Sequence, residues 1–274
     1  MRYSVLAGLL LAASVASAQT SRAVYPLQVW PEAQGELALR NGDYLLLALH
    51  GERQLQDGNY DDRPLGFDVR RALLAYEHFI SSHWSYGATF RYEGYGDGFN
   101  GLAPEALLRH RSPVFAGITF GQRLSLEFRK DLYPSRVNAS SPDGQVWGRL
   151  RVDLERVLPL SAEANGPALR PRLSAEASTH VRLQKADSDP LERTIQYTSL
   201  RADVGLRVSP RFDFTPWFAY QTFYYKSLPQ YDANGNLKSG GDSNAIVPTA
   251  GLDLRFTFLP SGAKADRQQL PTQH

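Results

Sequence analysis

The sequence of 274 residues contains no cysteine, so neither a disulfide-stapled secreted domain nor a thiolate metal site is available to it. After residue 18 it has no run approaching 18 consecutive apolar residues, and we therefore expect no membrane-spanning helix. The formal net charge is only +2, which is too small to indicate nucleic acid or a strongly anionic partner. Nucleic-acid binding is accordingly not predicted.

The first 18 residues have the pattern of a secretory signal peptide. Arg2 supplies a basic start, residues 5–15 are an apolar run, and small residues occupy positions 16–18. An N-terminal anchor is the alternative, but the run is shorter than the roughly 20 residues that a spanning helix needs. We therefore expect cleavage before Gln19 and export of the mature chain.

What the chain does contain is a large number of aromatic residues, 14 Tyr, 13 Phe and 4 Trp, together with strict alternation of side-chain polarity. Residues 169–184 show the alternation best, because every second position is apolar or small and the other positions carry four charges. A period of two predicts a β-strand with two unlike faces. Sixteen residues exceed the usual five or six of a soluble strand, whereas about nine to eleven cross a bilayer at a tilt.

Ten such strands are predicted along the chain. They cover residues 44–53, 65–77, 83–93, 105–112, 118–129, 146–155, 169–184, 194–208, 211–225 and 245–258. The second strand changes its parity near Arg70 and Arg71, and a bulge there would restore its facing. Residues 36–40 could form a further short strand or belong to the preceding segment.

The connections between these strands alternate in length. Those after the second, fourth and eighth strands are short, and those after the odd-numbered strands are longer and rich in Gly, Asn and Asp. An outer-membrane barrel has short periplasmic turns and longer outer loops, whereas a secreted β-sandwich, the alternative, has no reason to keep this rhythm. We therefore predict an all-β, antiparallel up-and-down transmembrane β-barrel of about ten strands, or twelve if residues 36–40 pair and another short strand is missed.

The predicted organisation has four parts: a signal peptide (1–18), a periplasmic lead-in (19–43), the transmembrane barrel (44–258) and a flexible periplasmic tail (259–274). Residues 249–258 resemble the assembly signal of bacterial outer-membrane proteins, with Gly251, Leu254 and Phe256 in place, although the chain continues beyond the strand. Outer-membrane localisation and contact with outer-membrane lipid follow from these predictions.

Two segments resemble a known family. In residues 121–160, RLSLEFRKDL is followed by GRLRVDLERVLPL, and residues 198–220 contain SLRADVGLRVSPRFDFTPWFAY. Both are similar to bacterial exported barrel proteins grouped as a domain of unknown function, over about residues 30–258. The resemblance implies an outer-membrane barrel and carries over no substrate and no functional residue.

The predicted lumen faces carry many charges, which form the candidate site. The lumen-lining residues are Arg123, Glu127, Arg149, Arg151, Asp153, Arg170, Arg172, Glu176, Arg182, Arg201, Asp203, Asp253 and Arg255. One interpretation is a path for small anionic solutes. The alternative is a packed lumen cross-linked by bidentate Arg–carboxylate pairs, because barrels of about eight strands are filled by side chains and open channels appear at about sixteen.

The first function hypothesis is a narrow, porin-like channel that passes small polar solutes. The alternatives are a non-conducting structural or adhesive barrel that acts through its outer loops, and a surface hydrolase. No catalytic site, cofactor or metal is predicted, and the chain is not expected to be an enzyme. The sequence does not indicate an oligomeric state.

Four features that could carry chemistry are weaker than their structural explanations. Ser178 and His180 share one strand face, but residues so spaced lie about 7 Å apart and need help from a second strand. The pair at 61–62 has no Asp-x-His partner, and residues 232–236 lack the Glu that closes a calcium loop. The aromatic residues of 217–225 could stack on a glycan, but interface anchoring is the expected use.

Overall fold

The computed structural model describes residues 21–56, 63–96, 98–132, 144–163, 166–181, 193–234 and 237–261. The predicted signal peptide and residues 262–274 of the predicted tail lie outside the described residues. Within the described part of the chain, no helix is long and apolar enough to cross a membrane.

The chain forms a closed, mostly antiparallel β-barrel. Its strands are β1 (Ser21–Val24), β2 (Gln28–Ala38), β3 (Tyr44–Gln54), β4 (Val69–Phe79), β5 (Trp84–Tyr95), β6 (Asn100–Pro113), β7 (Ile118–Asp131), β8 (Gln145–Arg156), β9 (Leu158–Pro159), β10 (Ala168–His180), β11 (Tyr197–Ser209), β12 (Phe212–Tyr231) and β13 (Leu237–Phe258). Eleven of these strands make the ring, while β1 pairs only with β13 and β9 pairs only with β10. The predicted all-β, up-and-down barrel is confirmed.

The ring closes through a parallel pair of strands. β2 pairs antiparallel with β3 and parallel with β13, in a register that runs from Gln28 opposite Thr249 to Leu37 opposite Phe258. All other neighbours in the ring are antiparallel. The segment expected as a lead-in therefore contains the eleventh strand. Its last residues, 36–38, belong to the segment 36–40 that the sequence left open as a further short strand. Its earlier part was not predicted because Pro31, which has no N–H to donate, is unfavourable inside a strand and interrupts the β2–β3 ladder.

The bulge expected at Arg70 and Arg71 is absent, and that prediction is wrong. β4 begins at Val69, and its registers with β3 and β5 are continuous. The apparent change of parity came from counting residues before Val69 as strand. Residues Pro64–Gly66 instead form a short 3-10 turn, in which Leu65 (φ 58°) and Gly66 (φ 77°) both have left-handed backbone angles.

Several strands are longer than predicted. β6 starts five residues earlier than expected, at Asn100, and β12 and β13 continue their mutual pairing as far as Tyr231 and Leu237. Most of the predicted loop between the last two strands is thus a hairpin. Backbone pairing overrides the high Gly, Asn and Asp content there, because each hairpin strand satisfies its partner's amide and carbonyl groups.

The two faces of each strand are opposite in character to those of a soluble barrel. On β7, Arg123 and Glu127 are 3% and 1% exposed, whereas their neighbours Leu124 and Leu126 are 57% and 56% exposed. Inside the ring a small apolar cluster is formed by Leu46, Ala48, Leu73 and Ala75, and most of the remaining inward residues are polar or charged.

The two rims of the barrel differ in their connections. The turns formed by residues 39–43, 80–83, 114–117 and 210–211 lie at one rim together with residues 157–163 and 166–167, and we call this rim the short-turn end. The other rim, which we call the long-loop end, is formed by the strand ends Gln54, Val69, Tyr95, Asn100, Asp131, Gln145, His180, Tyr197, Tyr231 and Leu237. Because β2 runs parallel to β13, Gln28 lies towards the long-loop end and Phe258 lies at the short-turn end.

Candidate functional site

Twelve of the thirteen predicted lumen residues are buried inside the barrel. Arg123, Glu127, Arg149, Arg151, Asp153, Arg170, Arg172, Glu176, Arg201, Asp203, Asp253 and Arg255 are all at most 9% exposed. Arg182 lies outside the described residues. The structure brings the twelve together in one network with further charges on the strands that the prediction did not cover.

Most of the inward charges outside the predicted set lie on β2–β6 and β12, while Arg129 is on β7, Glu155 on β8 and Arg207 on β11. Glu105, Arg109 and Arg111, for example, share the inward face of β6 and lie within the predicted strand 105–112, for which the sequence analysis assigned no lumen face. The inward arginines are Arg71, Arg91, Arg109, Arg111, Arg123, Arg129, Arg149, Arg151, Arg170, Arg172, Arg201, Arg207 and Arg255. The inward carboxylates are Glu32, Glu36, Glu52, Glu77, Glu93, Glu105, Glu127, Asp153, Glu155, Glu176, Asp203, Asp213 and Asp253.

The network is therefore balanced, with thirteen arginines against thirteen carboxylates on the described strands. A path selective for anions would need an excess of positive charge along its length. At least eleven of these arginines have a carboxylate oxygen within 4.0 Å and would have to leave it in order to meet a passing anion. The charges consequently act on each other more than on a solute.

Many of the ion pairs join strands that are not neighbours in the sheet. Arg109 of β6 reaches Glu77 of β4 at 2.8 Å, and Arg201 of β11 reaches Asp253 of β13 at 2.9 Å. Further pairs of this kind are Arg91–Glu127 at 3.0 Å, Arg111–Asp153 at 3.4 Å and Arg170–Asp213 at 3.0 Å. Such bonds cross the space in front of the intervening strand and fill it.

Between the middle of the barrel and the short-turn end, this network closes the lumen. A water-filled passage would leave inward side chains exposed, yet Glu77 and Arg109 are each 2% exposed. The residues that fill this part of the lumen are all buried, and we call them the plug: Tyr44, Glu77, Arg109, Arg111, Arg123, Asp153, Arg172, Arg201, Asp203, Asp253 and Arg255. The plug is built from side chains of the barrel wall itself.

Trp217 belongs to this interior and does not anchor the protein at a membrane interface, as the aromatic content of its strand had suggested. Its indole N–H donates to Asp253 Oδ1 at 2.8 Å, and the guanidinium of Arg201 lies 4.0 Å from the ring centroid. Gly251 makes room for the ring, since a Cβ there would lie 2.1 Å from it. Its strand neighbour Phe218 does face outward.

Towards the long-loop end the lumen opens into a cavity of about 340 Å³, which we call the vestibule. One side carries a chain of ion pairs from β4, β5, β7, β8 and β10, which we call the arc: Arg71, Glu93, Arg91, Glu127, Arg149 and Glu176. All of them line the cavity except Glu127, which is buried behind its arginine partners. Arg129 lies over the ring of Trp147 at 4.4 Å and pairs with Glu127.

The opposite wall of the vestibule is uncharged and comes from β2, β11 and β12. It includes Trp30, Tyr197, Gln221 and Phe223. Tyr197 and Phe223 contact each other with ring centroids 5.1 Å apart, and the Tyr197 hydroxyl donates to Gln221 Oε1 at 2.7 Å. The vestibule is thus polar on one side and aromatic on the other.

A separate polar cluster lies at the short-turn end, in the turn between β2 and β3. Asp43 is 1% exposed and accepts hydrogen bonds from His78, Tyr76, the Phe79 amide and Asn41. Burial alone raises the pKa of Asp43, but these four donors outweigh it and hold the pKa below its usual value. The cluster ties the turn to β4.

Those of the weaker candidates that the structure describes do not assemble into a reactive centre. Ser178 lines the vestibule, while His180 stacks on Trp147 with centroids 5.6 Å apart. Asp232 Oδ1 accepts the Asn234 amide at 2.8 Å, which is ordinary turn chemistry. The pair at 61–62 lies outside the described residues. Among the residues with described positions, no group of three or more His, Asp or Glu could hold a metal ion.

A comparison with protein-family models finds no match, and a comparison with curated proteins finds no significant one. The fold and the contacts of the lumen therefore carry the functional argument.

Proposed function

We propose that this protein is an outer-membrane β-barrel that is closed to solutes by its own plug and that acts through the vestibule and loops of its long-loop end. The observation that carries the proposal is the combination of an ion-paired interior with an apolar exterior. The predicted signal peptide supports export, and the alternation of short turns and long loops supports the outer membrane.

The exterior has the properties of a lipid-facing band. An uncharged band surrounds the outer surface of the described strands. It is bounded by Arg53, Arg70 and Lys130 towards the long-loop end and by Arg156 at the short-turn end, and no outward position between these borders carries Lys, Arg, Asp or Glu. On β8 the outward positions from Val146 to Leu154 are all apolar or glycine. This stretch of strand would span about 23 Å if tilted by about 40°, close to the ~25 Å band of outer-membrane barrels.

Aromatic side chains lie on this outer surface at both borders of the band. Trp84 and Tyr86 are exposed near the short-turn end, and Tyr92 and Tyr220 are exposed towards the long-loop end. Aromatic girdles in these positions are typical of transmembrane barrels, because the rings place an apolar body and a polar edge at the lipid–water boundary.

The closed lumen is tested by solute flux. The mature chain would be refolded into liposomes, and swelling in small sugars and amino acids would be followed beside a triple variant, Arg109→Ala/Arg111→Ala/Arg123→Ala. We expect tight liposomes with the natural chain and measurable swelling with the variant, because the variant removes three cross-links of the plug. Rapid, size-limited swelling with the natural chain would refute the closed lumen. Recovery of the mature protein in the soluble periplasm would refute the membrane assignment.

A narrow channel for small polar solutes is the second candidate. It is favoured by the depth of the vestibule, which reaches Arg149 and Glu176 of the charge network. Rearrangement of these pairs would extend the cavity towards the plug. Swelling that depends on Arg149, Arg151 and Arg172 would support this candidate over the closed barrel.

A further inference from the structure

We infer that the vestibule is a binding site for a neutral, polyhydroxylated ligand of one or two sugar rings. The inference rests on the proposed function insofar as the long-loop end must face the medium. It concerns a different property of the barrel, however, because a ligand can occupy the vestibule whether or not the plug conducts.

The charged wall favours a neutral ligand. Glu93 accepts Arg71 and Arg91, each at 2.8 Å, and Arg91 continues to Glu127 at 3.0 Å. Arg149 then joins Glu127 and Glu176, at 3.4 Å each. Arg129 also lines the cavity and pairs with Glu127, and Arg71 also pairs with Glu52. Four arginines thus stand against four carboxylates, of which Glu93 and Glu176 line the cavity and Glu52 and Glu127 lie behind it. Because the summed charge is zero and every one of these arginines is paired, a net charge on the ligand brings little affinity.

The same wall suits hydroxyl groups. Guanidinium N–H groups only donate and carboxylate oxygens only accept, whereas a hydroxyl does both. A ring with several hydroxyls can therefore bond to an arginine and a neighbouring glutamate of the arc without breaking their pair. Hydrogen bonds to charged groups contribute more than neutral ones, which gives such a ligand its polar anchor.

The uncharged wall suits the C–H face of a sugar ring. Phe223 is 41% exposed at the vestibule, and Tyr197 lies beside it. Trp30 also lines this wall, and its indole N–H donates to Gln28 at 2.9 Å, so the nitrogen is already satisfied. A molecule with hydroxyls at its rim and an apolar face matches both walls at once.

The size of the cavity limits the ligand. Small-ligand pockets usually enclose about 300–1,000 Å³, and the vestibule, at about 340 Å³, lies at the lower limit. One or two pyranose rings fit this volume, while an oligosaccharide would have to extend among the loops. Trp30 and Trp147 line the cavity and report its occupation by fluorescence.

The test is a fluorescence titration of the refolded barrel in detergent micelles with glucose, galactose, maltose and lactose. Gluconate, glucosamine and benzoate serve as anionic, cationic and aromatic probes. We expect saturable changes with at least one neutral sugar, and affinities about tenfold weaker for its charged analogue. Phe223→Ala should weaken sugar binding about tenfold, which corresponds to ~1.4 kcal/mol. Phe218→Ala, on the outer face of the same strand, is the matched control and should leave binding unchanged.

Three results would overturn the inference: no saturable change with any neutral sugar, tighter binding of gluconate, glucosamine or benzoate than of the sugars, or equal effects of Phe223→Ala and Phe218→Ala. Liposome swelling with the same preparation separates the two proposals. Saturable sugar binding with strong swelling refutes the closed lumen and supports the vestibule site. Tight liposomes without sugar binding support the closed lumen and refute the site.

Discussion

Replacing Arg109 by leucine should destabilise the barrel by about 3–5 kcal/mol, because the change leaves the carboxylate of Glu77 buried without its cation. Arg109 Nη1 donates to both carboxylate oxygens of Glu77, at 2.9 and 2.8 Å. Ser85 adds one hydrogen bond from its hydroxyl. That neutral donor remains in the variant, but it cannot replace a charge-assisted pair in a space closed to water.

A double variant distinguishes the cost of the unpaired charge from the cost of lost packing. The double variant Arg109→Leu/Glu77→Leu removes both charges, so its loss should be much smaller than that of the single variant and could be near zero. The matched single change is Arg156→Leu, because Arg156 is exposed on the outer surface at the short-turn end. We expect this change to alter the free energy of unfolding by no more than about 0.5 kcal/mol. The free energies of unfolding decide the question: Arg109→Leu should be clearly the least stable of the three variants.

The assay is urea unfolding of the barrel in detergent micelles, followed by tryptophan fluorescence and by the gel mobility of the folded form. If Arg109→Leu unfolds at the same urea concentration as the natural chain, the pair is solvated and the lumen is open at that level. If the double variant is as unstable as the single one, the loss comes from shape and not from an uncompensated charge.

Three further variants test other parts of the structure. The folded protein lowers the pKa of Asp43, so the stabilisation by its carboxylate is present above the unfolded pKa of about 3.9 and is lost as the pH falls through the folded pKa. Asp43→Ala should therefore lower the free energy of unfolding by about 1–3 kcal/mol at pH 7 and by less at pH 3, as measured by urea unfolding at both pH values. Gly251→Ala places a Cβ 2.1 Å from Trp217 and should destabilise the barrel by about 1–3 kcal/mol with a changed tryptophan spectrum, and an unchanged spectrum would contradict this packing. Leu124→Arg, in the outer apolar band, should cost about 2–4 kcal/mol in lipid, whereas a negligible cost would argue against a lipid-facing surface.

Alternation of polarity was enough to predict the fold and most of the lumen. On β10 it separates Arg172 and Glu176, which are buried, from Leu173, which is 59% exposed. The signal is strong because both faces of such a strand are constrained: one must satisfy charges and the other must contact an apolar solvent or partner. Where both constraints act on one strand, its faces can be read from sequence alone.

The alternation does not show how the charges pair. Arg111 could have paired within its own strand or with its neighbours, and the structure instead directs it to Asp153, two strands away around the ring. Pairing across an intervening strand depends on barrel curvature and on the lengths of the side chains in between. These are properties of the closed ring, and local sequence does not contain them.

The parallel closure could not be predicted for a related reason. In β2 the inward residues Glu32, Gln34 and Glu36 alternate regularly, but Pro31 and Gly35 on the other face weaken the strand signal. Their partners are distant: His50 Nδ1 lies 3.5 Å from Glu32, and Arg255 donates from Nε to Gln34 at 2.6 Å.

A strand with a weak local pattern is thus held in place by polar contacts on both sides. Without it, the upward strand β3 and the downward strand β13 would face each other as antiparallel neighbours and could close a ring of ten. β2 therefore brings the ring from ten strands to eleven. Because barrel width grows with strand number, the presence of β2 also affects whether the ion pairs of the plug can reach across the lumen.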